Sequence, residues 1–80
     1  MKKKLDTSSK IGRIVFAMKD ISVRMKPEIR AMVIRVFNTL DDDQTDPGLR
    51  YRLRDDLDKM AREPQLAGLV KQLIKELPQT

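Results

Sequence analysis

Prolines at 27, 47 and 64 cut this chain into four stretches, and within each the apolar residues recur at three- and four-residue spacing. That period belongs to amphipathic helices, because residues three and four apart share one helix face. Each of these prolines suits the first turn of a helix, where no backbone N–H is needed, and each biases the preceding residue away from helical angles. The pattern predicts an all-α domain spanning residues 1–80. Its four short amphipathic helices fall at about 9–25, 27–40, 47–62 and 64–77, behind a flexible basic stretch over 1–8.

The first stretch places Ile11, Ile14, Val15, Met18, Ile21 and Met25 on one stripe, with Ser8 or Ser9 available to cap its free amides. Ile29, Met32, Val33, Val36, Phe37 and Leu40 line the second, and Glu28 complements its positive end. Residues 41–46 read as a loop, with Asp46 capping a third helix whose narrow seam is Leu49, Leu53, Leu57 and Met60. Leu66, Leu69, Val70, Leu73, Ile74 and Leu77 form the stripe of the fourth, and Pro78 stands at its end.

Three apolar residues do not fit these stripes. At about 100° per residue, Phe16 and Val23 fall off the first stripe and Ile34 falls nearly opposite the second. A chain of 80 residues buries only about 60 to 65% of the surface its unfolded form exposes, so self-association would help its thin core. Together these points predict a homodimer that meets through the first two helices, with Phe16, Val23 and Ile34 at the interface. An early kink in the first helix, at Gly12 or near Ser22, would instead make both of its faces internal.

The residues that are missing exclude most catalytic designs. With no Cys and no His, the chain has no thiolate site, no disulfide, and neither the commonest metal ligand nor the commonest general base. Its three glycines are isolated, so no phosphate loop is present, and an enzyme is not expected. No cofactor is expected either. Asp41, Asp42, Asp43 and Asp46 invite a calcium reading, yet the sixth position of that register is Asp46 where Gly is needed, and the twelfth is Arg52 where Glu is needed. Metal binding is therefore not expected. Polar residues follow Lys2–Lys4 where a signal peptide needs an apolar run, and no stretch is long and apolar enough to span a membrane, so a cytoplasmic protein is expected.

Charge is unevenly distributed. Residues 1–40 hold ten Lys and Arg against three acids, a net of +7, and residues 41–80 hold seven against nine, a net of −2. Lys10, Arg13 and Arg24 share the polar side of the first helix, and Arg30 and Arg35 that of the second. Such a surface gives salt-dependent phosphate binding without sequence preference, although the same residues would also serve simply to keep a small protein soluble. Arg50-Tyr51-Arg52-Leu53-Arg54 also interleaves bases with a ring, as nucleic-acid surfaces do. Its i, i+4 partners, among them Arg52 with Asp56 and Arg54 with Asp58, predict the ion-pair lattice of a solvated face instead.

Asp20-Ile21-Ser22-Val23-Arg24-Met25-Lys26-Pro27-Glu28-Ile29 resembles the strand and first helical turn of ribbon-helix-helix repressors. The resemblance covers about ten residues and implies a dimer with a short strand at 19–25. Ile21, Val23 and Met25 would then face the core, while Ser22 and Arg24 would point into the major groove. Two functional expectations follow from the chain as a whole. The first is a small regulatory protein that binds nucleic acid through Lys10, Arg13, Arg24, Arg30 and Arg35. The alternative is an adaptor or inhibitor that binds a larger, acidic protein partner through Phe16, Val23 and Ile34.

Overall fold

In a computed structural model that describes residues 4–78, the chain forms α1 (Lys10–Ser22), α2 (Pro27–Asp42), α3 (Leu49–Met60) and α4 (Pro64–Glu76). Local chemistry accounts for where each begins. Ser9 caps α1, its Oγ accepting from the Gly12 amide at 3.0 Å. Pro27 and Pro64 open α2 and α4. Before α3, the Asp46 carboxylate accepts from the Gly48 amide at 2.8 Å, which draws Pro47 and Gly48 into a turn. The helix therefore starts two residues later than the Asp46-Pro47 pair suggests.

Helix α2 extends through Asp42, so the expected loop loses its first two residues to the helix. Asp43 turns the chain onward, its Oδ1 accepting from the Thr45 amide and hydroxyl at 2.9 and 2.7 Å. Contacts between helices form a closed cycle: α1 lies against α2 and α4, and α3 lies against the same two. Inside are Ile14, Val15 and Met18 of α1, Val33, Val36 and Leu40 of α2, the whole Leu49–Met60 seam of α3, and Leu66, Val70 and Leu73 of α4. Every one belongs to a stripe that the spacing marks out, because burial of those stripes is the main force holding so short a chain together.

The N-terminal stretch adds a layer that the helical period does not reveal. Residues 1–3 lie outside the described residues, but Leu5 is a core residue whose amide donates to Asp41 Oδ1 at 3.0 Å. The segment then crosses α1 so closely that a Cβ at Gly12 would collide with the Asp6 carbonyl oxygen. Gly12 is needed there for the absence of a side chain, and its backbone remains helical.

The ribbon-helix-helix alternative is overturned at residues 19–25. Lys19 to Ser22 are helical, Val23 and Arg24 lie in a turn, and no strand occurs among the described residues. The alternation runs the wrong way for a ribbon: Ser22 is 0% exposed, whereas Val23, assigned to a dimer core in that reading, is 62% exposed. Ser22 Oγ donates back to the Lys19 carbonyl at 2.8 Å, which satisfies the buried hydroxyl and loosens the last turn. The helix ends there, short of the expected Met25. Among the described residues no helix is long and apolar enough to cross a membrane.

Candidate nucleic-acid interface

The five basic residues expected to form one surface fall into different circumstances. Arg35 on α2 reaches α3, where its Nε and a terminal nitrogen donate to both Asp56 oxygens at 3.0 and 2.9 Å. This forked geometry is the strong form of an arginine–carboxylate pair. The Arg35 hydrogen bond holds the Asp56 carboxyl below the ordinary carboxylate range, and the same bond raises Arg35. Arg13 turns back over the N-terminal segment toward the Thr7 and Ser8 carbonyls, at 3.3 and 3.5 Å. Lys10 lies 3.9 Å from Glu76 of α4, a loose and exposed pair.

Arg24 and Arg30 differ from these three. Both are exposed, and among the described residues neither has a carboxylate within ion-pair distance. Lys26 stands between them in the turn that joins α1 to α2, and it too is exposed and unpaired. Its contribution was legible in the sequence as a cation directly before Pro27, where the chain must leave α1. Arg24 and Lys26 line a shallow groove of about 680 Å³ with Asp20, Ile21, Glu63 and Gln65, so two acids face the same space. Lys19, one turn earlier, lies over the Phe37 ring, 4.3 Å from its centre.

The three off-stripe apolar residues also separate. Phe16 has an internal partner, meeting Phe37 edge to face with ring centres 5.1 Å apart and planes at 84°. Val23, just past the end of α1, and Ile34, 39% exposed on α2, do face outward. An apolar second side of α1 is thus partly an intramolecular seam between α1 and α2.

On α3 the expected i, i+4 lattice gives way to longer reaches. Asp56 pairs with Arg35 rather than Arg52, and Arg52 turns back to Asp46 at 2.8 Å. The Gly48 amide and then Arg52 hold the Asp46 carboxyl below its usual range. Arg54 and Asp58 form no ion pair among the described residues. Tyr51 points into solvent at 76% exposure, away from the leucine seam.

The aspartates read as a possible metal loop are engaged with the backbone instead: Asp41 with the Leu5 amide, Asp43 with Thr45 and Asp46 with Gly48. Among the described residues no group of three or more such side chains is gathered as metal ligands would be. No protein-family model, curated protein sequence or solved structure matches this chain.

Proposed function

We propose that this is a small cytoplasmic regulatory protein that binds nucleic acid, without a cofactor, through the basic end formed by Arg24, Lys26 and Arg30. One observation carries the reading: three exposed cations, with no carboxylate at ion-pair distance among the described residues, fall within residues 24–30 at the α1–α2 turn. Cations already engaged by protein carboxylates release few counterions when a phosphate approaches, and these three remain available to do so. Arg35 and Arg13 contribute little, because Asp56 and the N-terminal carbonyls hold them.

Anisotropy of a labelled oligonucleotide across a salt series tests this. Replacing Arg24 and Arg30 with Ala is expected to weaken binding at least about tenfold and to reduce the salt slope by up to about two. The helical circular dichroism should be unchanged. Full retention of affinity in that variant ends the proposal.

Val23 at 62% exposure and Ile34 at 39% support a second reading, in which this outer face joins two copies of the chain or an acidic protein partner. Sedimentation equilibrium of the native protein is expected to give a dimer mass that Ile34→Asp halves. A native monomer that captures no acidic partner removes this reading.

A further inference from the structure

The geometry points to the groove beside α3 and α4 as a stacking site for single-stranded nucleic acid, where Tyr51 receives a base on its ring and Arg50 and Arg54 hold adjoining phosphates. This inference rests on the nucleic-acid reading above and names the kind of strand involved. The groove encloses about 310 Å³ and is lined by Arg50, Tyr51, Arg54, Leu57, Asp58 and Ile74.

Three observations converge on it. Tyr51 is 76% exposed and serves no part of the core, yet it stands at the rim of an apolar floor made by Leu57 and Ile74. Arg50 is fixed in place, because one of its terminal nitrogens donates to the Ile74 carbonyl at 2.8 Å. Its Nε is nevertheless buried with no hydrogen-bond partner among the described residues. That N–H is closed to solvent, so a phosphate would meet the terminal guanidinium nitrogens of Arg50 instead. Arg54 lies one helical turn beyond Arg50 with no ion pair among the described residues, so it extends the positive edge of the same groove.

The combination of a ring, two guanidinium groups and an apolar floor matches how single strands are held: bases stack on the aromatic face while cations track the backbone. Within a duplex the base faces are covered by their neighbours, so the groove selects single strands over double. Asp58, farther along the same stripe, repels phosphate and is placed to accept from a base that carries an amino group. A strand would therefore lie with its phosphates toward Arg50 and its base toward Asp58.

Tyr51 is the only tyrosine in a chain without tryptophan, so its ring protons are a direct probe. The full chain is titrated by NMR with a short oligo(dA) strand and, separately, with a duplex of the same length. Upfield shifts of the Tyr51 ring with the single strand are expected, together with about tenfold weaker binding in Tyr51→Leu and near-native binding in Tyr51→Phe. Binding that leaves the Tyr51 ring unmoved and is unchanged in Tyr51→Leu overturns the groove, while loss in the Arg24 and Arg30 variant would keep the basic end. Equal affinity for the duplex overturns the stacking site as well. Failure to bind either nucleic acid overturns both readings, and binding of an acidic peptide in its place assigns the groove to a protein partner.

Discussion

The basic half of the chain and the near-neutral half do not offer their cations in proportion to their charge counts. Residues 1–40 carry the +7 excess and leave Arg24, Lys26 and Arg30 unpaired among the described residues, but Arg13 is latched over Thr7 and Ser8, Arg35 is forked onto Asp56, and Lys19 sits on a ring. Residues 41–80 carry −2, and yet Arg54 is unpaired among the described residues. Formal charge measures what a segment contains, whereas binding depends on what the fold leaves unengaged. In this chain the acids that withhold an arginine lie on another helix or across a turn, as Asp56 and Asp46 show.

The N-terminal latch over α1 is where a single substitution should cost the most. Gly12→Ala places a methyl group where the Asp6 carbonyl oxygen lies, so the crossing segment must move away and take Leu5 out of the core. A loss of about 1 to 3 kcal/mol in urea unfolding is expected, in the range of overpacking a filled site. The same displacement frees Arg13 from the Thr7 and Ser8 carbonyls, so the folded fraction should bind oligonucleotide more tightly than the native protein. Stability equal to native, with the Leu5 methyl resonances unshifted, would show that the segment does not cross α1 as described.

How far the sequence reaches is itself explained by the range of each interaction. The stripes of all four helices were legible because helical period and burial act over neighbouring residues, and Val33, Val36, Leu40, Leu66, Val70 and Leu73 lie where the spacing puts them. Leu5 was not legible, since a lone apolar residue among polar ones has no period and is recruited only by the tertiary approach to Asp41. Phe16 looked surplus to α1 because its partner, Phe37, lies on another helix. For α3, pairing at i, i+4 assigned Asp56 to Arg52, but such exposed local pairs are worth only about 0.3 to 0.5 kcal/mol and yield readily to a forked contact across helices. The ribbon resemblance failed for a similar reason: in-out alternation over a few residues competes with the longer helical stripe that runs from Ile11 to Ile21. Tyr51 and Arg54 were visible as an interleaved motif, and only the fold shows that Asp56 turns to Arg35 and that Asp58 forms no ion pair among the described residues.

Asp56 should have a more modest influence, through its hold on Arg35. If that carboxylate is what withholds Arg35, then Asp56→Asn should raise affinity for an oligonucleotide a few-fold and steepen the salt slope by up to about one, the increment of a single added phosphate contact. Arg35→Ala in the native background should change binding little. The same pair has a signature in stability. Asp56 and Asp46 both titrate below their ordinary value of 3.8 in the folded chain, Asp56 through Arg35 and Asp46 through the Gly48 amide first and Arg52 second. Between the folded and the ordinary values the unfolded chain binds more protons, so stability rises with pH across that window. The contribution of these carboxylates is complete above about pH 5 and is lost as pH falls below about 4 through the lowered folded values. The urea midpoint should follow that limb in the native protein and follow it less steeply in Asp56→Asn. An acid limb of identical slope in the two proteins, with no gain in binding, would mean that Asp56 leaves Arg35 as available in solution as Arg24 and Arg30, and the contrast between the two halves would reduce to their charge counts.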